Sequence, residues 1–181
     1  MAESELAWET TEREVAYTCP GFDIVHETVR LPDGTETDFD YLHDEPAVVI
    51  LAFTPEEDLV VIDEWRQSVK RVNRGLPAGS VEPEDGDLAA AARRELEEET
   101  GYVPDAVERL GSFEPANGVT DAVFTYFVAT GCRPTGEQAL DENESISVRT
   151  TTMATLRERL AAGDLQDGRT ALGVLLYGFL R

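Results

Sequence analysis

Two runs of nearly uninterrupted apolar residues mark the centre of the chain. Residues 47–53 read AVVILAF and residues 59–65 read LVVIDEW, with the polar turn TPEED between them. Continuous Val, Ile and Leu content predicts central strands covered on both faces. Upstream, residues 7–46 contain alternating stretches, which predict a small antiparallel β unit with a turn at Leu31, Pro32, Asp33 and Gly34. Trp8, Tyr17, Phe22 and Val25 are the candidates to line one of its faces. Downstream the period lengthens. Leu88, Ala92 and Leu96 form an i,i+4 stripe, so Leu88–Thr100 is predicted as a helix. Asp87 suits its N-cap and Gly101 its C′ position. Strands are predicted over 107–113 and 122–130, and residues 133–145 form a polar loop before Ile146, Ser147 and Val148. A helix over Met153–Ala162 stops at Gly163 and Asp164, and a last helix covers 169–179.

A length of 181 residues suits one domain, or one domain with an N-terminal extension. The net charge of −22 sets this chain apart, yet 41% hydrophobic content is ample for a core. The acid excess is spread along the chain, and Lys70 is its only lysine beside the arginines. Such a surface is expected of a protein from a high-salt cytoplasm, where hydrated carboxylates keep it soluble and salt screens self-repulsion. An acidic partner-binding protein or nucleic-acid mimic is the alternative, and the charge argues against binding a nucleic-acid backbone. Cys19 and Cys132 are far apart and stand in no metal-binding spacing, which reads as two free thiols in a reducing cytosol. No signal peptide opens the chain. The most apolar stretch, 171–180, is too short for a membrane span and reads as a core helix.

The predicted helix over Leu88–Thr100 carries the chemistry. At 100° per residue, Glu95, Glu98 and Glu99 fall within an arc of about 100°. Three like charges on one face repel each other unless a cation stands before them. Carboxylates suit Mg²⁺ or Mn²⁺, and Mg²⁺ shares its shell with water and substrate phosphates. The stretch therefore points to metal-assisted attack on a phosphate-containing substrate. Arg94 is placed to pair with Glu98 at i,i+4, whereas Arg93 and Glu97 point away. A solvated acidic helix in a very acidic chain is the competing reading of the same charges.

Residues 79–102, GSVEPEDGDLAAAARRELEEETGY, resemble the Nudix box, written G-x(5)-E-x(7)-R-E-U-x-E-E-x-G-U with U aliphatic or aromatic. Arg94, Glu95, Leu96, Glu98, Glu99, Gly101 and Tyr102 match its second half without a gap. In the first half Asp85 stands at the family's Glu position, one residue too far from Arg94, with the extra residue in the loop around Gly86. That departure touches the orienting role of the first acid and leaves the three glutamates alone.

The resemblance extends to the family's ADP-ribose and sugar-nucleotide branch and covers nearly the whole chain. Gly75, Leu76, Pro77, Ala78 and Gly79 are similar to the branch's "ELPAG" entry, where the carbonyl at the Ala78 position ligates metal. A bare turn is the other reading. Arg66 resembles the arginine that ends the family's strand, which implies a grip on substrate phosphate or sugar, since a guanidinium holds phosphate oxygens in a planar fork; a surface arginine paired with one of the many acids is the other reading. The segment 114–121 resembles a substrate loop, with Asn117 and Gly118 where branch members carry Pro-Gly. A hairpin connection competes there. Ser80, beside Gly79, joins the substrate-binding candidates. The segment 141–146 is similar to the branch's "ENEDI" loop, which implies Glu142 as proton acceptor and Glu144 as a metal ligand; two solvated acids are the alternative. In the same branch an N-terminal sheet is exchanged across a dimer and helps bind adenine, which implies a homodimer and makes Trp8 a candidate to stack on adenine, with a core or interface position as its other reading.

The implied fold is a Nudix-type α/β/α sandwich with a mixed β-sheet (47–181), preceded by a small antiparallel sheet in an N-terminal extension (1–46). The implied activity is cleavage of a nucleoside diphosphate derivative, with ADP-ribose giving AMP and ribose 5-phosphate. Mg²⁺ or Mn²⁺ would be held by the Ala78 carbonyl, Glu95, Glu98, Glu99 and Glu144, with Glu142 as base and Glu98 or Glu99 as the fallback. A Nudix hydrolase of another substrate, or a Nudix-fold module that binds a nucleotide without cleaving it, stays open. The expected setting is cytoplasmic, with neither nucleic-acid nor membrane partners.

Overall fold

The computed structural model describes residues 5–180 and divides the chain into two compact units. The first takes the described residues up to Glu45 together with Glu114–Val123. The second takes Pro46–Phe113 and the described residues from Phe124 onward.

In the first unit, β1 (Glu9–Cys19), β2 (Phe22–Arg30) and β3 (Glu36–His43) form an antiparallel sheet in the order β1-β2-β3. The turn between β2 and β3 closes with the Gly34 N–H donating to the Leu31 carbonyl at 2.9 Å, and Gly34 adopts φ +86°, a conformation glycine enters without a Cβ penalty. The loop 114–123 lies along β3. The Leu42 N–H donates to the Val119 carbonyl at 2.9 Å, and the Asp121 N–H donates back to the Leu42 carbonyl. Of the four residues expected to line one face, only Val25 is buried; Trp8, Tyr17 and Phe22 are exposed. A three-stranded sheet has too little apolar area to cover both of its faces.

In the second unit, β4 (Ala47–Phe53), β5 (Leu59–Arg66), β8 (Ala106–Phe113), β9 (Phe124–Thr130) and β10 (Ile146–Thr151) make a mixed sheet in the order β10-β5-β4-β9-β8. The β4–β9 pair is parallel and its other neighbours are antiparallel. Successive side chains of β4 leave by opposite faces. Val49 and Leu51 pack with Leu156 and Val174, from α2 (Met153–Ala162) and α3 (Gly168–Leu180). Val48, Ile50 and Ala52 pack with Ala91, Ala92 and Leu96 of α1 (Leu88–Thr100). The sheet thus lies between α1 on one face and α2 with α3 on the other. The Asp87 carboxylate caps α1 by accepting the Ala90 N–H at 2.8 Å, and Gly101 ends it at φ 71°.

Two short strands, β6 (Arg71–Gly75) and β7 (Ala78–Ser80), were not expected from the pattern. They carry no long alternation of their own. β7 is a strand because Ala78, Gly79 and Ser80 pair with Val49, Val48 and Ala47 of β4, a partnership set by tertiary contact. It brings the backbone of Ala78 to the end of α1. Among the described residues no helix is long and apolar enough to cross a membrane.

Candidate active site

The C-terminal half of α1 carries the acids, and each is held by a different partner. Glu99 is only 3% exposed, and its Oε2 accepts the Ala78 N–H at 2.9 Å. Glu95 and Glu98 share Nη1 of Arg94, at 2.8 Å each. Arg94 is itself fixed from behind: Nε and Nη2 meet Oδ1 and Oδ2 of Asp85 at 3.0 and 2.8 Å, and Nη2 also donates to the Ser80 carbonyl at 2.9 Å. A guanidinium–carboxylate fork of this kind sets orientation as well as charge. Asp85 therefore fills the orienting place despite its shorter side chain and its displaced spacing. The loop before α1 makes this possible, because the Asp85 carboxylate also accepts the Glu82 N–H at 2.8 Å. Ser80 meets Arg94 through its backbone, and its side chain is exposed.

Gly79 is required at this place for a reason of space. A Cβ built there would collide with the carboxylate of Glu95. The bare backbone of β7 lets the Glu95 side chain lie against it.

Burial pushes Glu99 up to about 8, and the charges of Glu95, Glu144 and Glu64 push the same way against the Ala78 N–H. Burial likewise raises Glu95 to about 7, against the pull of Arg94 and with the push of Glu98 and Glu144. These acids hold too little positive charge for their number and depth. Among the described residues no three acids close into a ready-made cage. An open set still fits a divalent cation, because Mg²⁺ takes one or two carboxylates and completes its shell from water and phosphate oxygens.

The end of β5 adds a second charged group. Glu64 and Arg66, two residues apart on one face, pair at 2.6 Å. Burial raises the Glu64 carboxyl, and burial together with the nearby charge of Arg169 lowers the Arg66 guanidinium. Nothing in the spacing of the chain singled out Arg169. Glu144, half-buried, accepts the Asp141 N–H at 3.1 Å, and its charge reaches Glu64, Glu95 and Glu99. Glu142 is exposed on the same loop.

Trp8, Asn117 and Gly118 belong to the first unit. Trp8 is 50% exposed and meets Phe39 edge to face at 6.1 Å. Asn117 donates to Glu114 at 3.3 Å and, with Phe39, Tyr41 and Val119, lines a cavity of about 380 Å³. Gly118 has open space where a side chain would stand.

Comparison with known proteins places this geometry. The NUDIX domain family model matches residues 43–169. The chain is 27% identical over 170 residues to an ADP-ribose pyrophosphatase of Bacillus subtilis (strain 168), covering 93% of this chain and 91% of that one. It is 30% identical over 147 residues to a methanol dehydrogenase activator of Bacillus methanolicus, covering 81% and 79%. A solved structure described as an ADP compounds hydrolase superposes with a TM-score of 0.82 over 95% of this chain and 92% of that chain, at 19% identity, and is similar in fold.

Proposed function

The chain belongs to the Nudix domain family, as a pyrophosphohydrolase of its ADP-ribose pyrophosphatase branch, and from that premise we propose that it splits ADP-ribose into AMP and ribose 5-phosphate. The observation that carries the reading is the cluster of α1 acids, with Glu99 buried on the Ala78 N–H and Glu95 partly covered on Arg94, both raised, to about 8 and about 7. Such a pair is costly to fold, and a cation that meets it offsets that cost.

Glu95, Glu98, Glu99, Glu144 and the Ala78 carbonyl are the groups that would hold Mg²⁺ or Mn²⁺. When bound, the metal supplies charge neutralisation at the diphosphate and a more acidic water. The remaining work falls to the chain. Arg94, braced by Asp85, keeps Glu95 and Glu98 from swinging apart. The Ala78 N–H fixes Glu99. Arg66 grips a phosphate oxygen and so aligns the P–O–P link for attack. Glu142, on its exposed loop, accepts the proton of the attacking water once the loop meets substrate. Trp8 stacks on the adenine, with Ser80, Asn117 and Gly118 as further contacts. We also propose a cytoplasmic homodimer, on the exposed apolar residues of the first unit and the resemblance to the branch. The net charge of −22 supports a small-molecule substrate over a nucleic acid.

The test is a panel of ADP-ribose, ADP-glucose, NADH, diadenosine polyphosphates and nucleoside triphosphates with Mg²⁺ or Mn²⁺, in low and molar salt. Selective release of AMP from ADP-ribose is expected. Turnover of another compound keeps the catalytic acids and discards ADP-ribose. The mechanism fails if Glu98→Gln and Glu142→Gln, each in folded protein, both leave turnover unchanged.

A further inference from the structure

A second cluster of partly covered charges lies in the same unit, where Arg66 pairs with Glu64 and Arg169 with Asp167. Arg66 is two-thirds covered and pairs with Glu64, which is itself buried. Arg169 is covered to a similar degree and, among the described residues, pairs with Asp167 over a long 3.5 Å. The backbone around Arg169 is held in three ways. The Tyr126 hydroxyl donates to the Arg169 carbonyl at 3.1 Å. Thr170, fully buried, accepts the Leu76 N–H at 2.9 Å through Oγ1. The Thr170 N–H in turn donates to the Asp167 carboxylate at 3.0 Å.

These bonds set the first turn of α3 against the segment that leads into the site. Leu76 is tied to α3 through Thr170, and Ala78, two residues on, is tied to α1 through Glu99. Gly75 lies opposite Ile62 in the β5–β6 register, two residues before Glu64. The Asp167 carboxylate stands 3.3 Å from where a Gly75 Cβ would be, so this glycine admits the segment that carries Arg169. An arginine in the first turn of a helix opposes the helix dipole and contributes nothing favourable there by itself. Arg66 meets Glu64 through Nη2 and Arg169 meets Asp167 through Nε, so each guanidinium keeps further N–H donors for an anion.

The geometry points to Arg169 as a substrate-binding residue that works with Arg66, the two guanidiniums together gripping the diphosphate. The inference rests on the reading of this site as a pyrophosphohydrolase centre, and it assigns that site a contact from α3.

The probe is inorganic pyrophosphate, titrated calorimetrically at fixed Mg²⁺ and low salt into wild type, Arg66→Gln, Arg169→Gln and Arg169→Lys. Each Gln variant is expected to bind about tenfold more weakly, as for loss of one charge-assisted contact. Arg169→Lys, with a point charge and no planar fork, should recover part of the loss. The affinity for Mg²⁺ alone and the melting temperature should stay at their wild-type values. Unchanged pyrophosphate affinity in Arg169→Gln overturns the proposal, as does a loss matched by an equal loss of Mg²⁺ affinity, which would make Arg169 a structural pin. If Arg169→Gln does not fold, Arg169→Lys decides, since wild-type affinity there also overturns it. ADP-ribose turnover is followed in the same proteins. Arginine-dependent pyrophosphate binding without ADP-ribose cleavage keeps the clamp and removes only the substrate.

Discussion

The two units handle charge in opposite ways. In the first, ion pairs lie on the surface: Arg30 spans Glu9 and Glu36 at 2.7 and 2.9 Å, His26 meets Asp40 at 2.8 Å, and His43 meets Asp121 at 2.6 Å. β1 is exposed along nearly its whole length, and Val25 and Val29 are the fully covered apolar residues of the three strands. In the second unit, Glu64 and Glu99 are buried among strands whose apolar side chains are almost fully covered. Surface pairs contribute little to stability, whereas a buried charge is costly unless matched. The first unit is therefore built for solvent or a partner surface. The second gives up stability where its α1 acids gather, the usual mark of a working site.

The contrast is sharpened first by removing charge without volume. Glu98→Gln should lower kcat on the order of 100-fold with the fold intact, because it removes the charge of a proposed metal ligand that pairs with Arg94. Steady-state kinetics with circular dichroism checks this, and a variant with full activity would remove Glu98 from the site. Next comes packing. Leu96→Ala should cost about 3 kcal/mol by cavity formation, while Tyr17→Ser in the first unit should stay within about 0.5 kcal/mol in a monomer. Equal effects in urea unfolding would erase the difference between the units. A large loss at Tyr17 that depends on protein concentration would instead reveal a covered interface. Gly79→Ala then separates site from stability. The side chain it displaces, Glu95, is the flexible end of a long residue, so stability should move by under about 1 kcal/mol while activity falls about tenfold.

Much of the second unit was legible because its signals are local. Asp87 and Gly101 bound α1 at the residues expected of caps, and the apolar runs of β4 and β5 needed no partner to be read. β6 and β7 were not legible, since their strand character comes from β5 and β4. The site divides in the same way. The arc of Glu95, Glu98 and Glu99 follows from helical period, and the Arg94–Glu98 pair from i,i+4 spacing. Asp85 read as out of register because spacing counts residues and ignores the path of a loop. Glu64 and Arg169 left no readable signal: they lie more than 100 residues apart, and only the Gly75–Ala78 crossing and the first turn of α3 relate them. The first unit misled where it was read as a face, because alternation predicts which side chains agree in direction and not whether anything covers them.

The last comparison concerns pH, and it distinguishes the units by what reverses it. In the unfolded chain Glu99 titrates at the ordinary 4.5, and in the folded chain at about 8. Between those values the folded protein holds the extra proton, so raising the pH favours unfolding. The cost is absent below 4.5 and fully developed above about 8; Glu95 adds the same sign between 4.5 and about 7. In the first unit, His26 and His43 are raised by their bonds to Asp40 and Asp121. Their stabilisation is present below 6.5 and is also lost as pH rises through their folded values. Both units thus weaken toward alkaline pH, but the proposed divalent-cation site lies in the second, where the ionised acids would hold the ion. Mg²⁺ should raise the melting temperature by about 3–5 °C at pH 8.5 and much less at pH 5. Glu99→Gln should flatten the curve without metal and remove most of the Mg²⁺ effect, while His43→Gln should leave that effect in place. Calorimetric melts across this range decide the matter: parallel curves for wild type and Glu99→Gln would mean that the buried acid is not what the cation relieves.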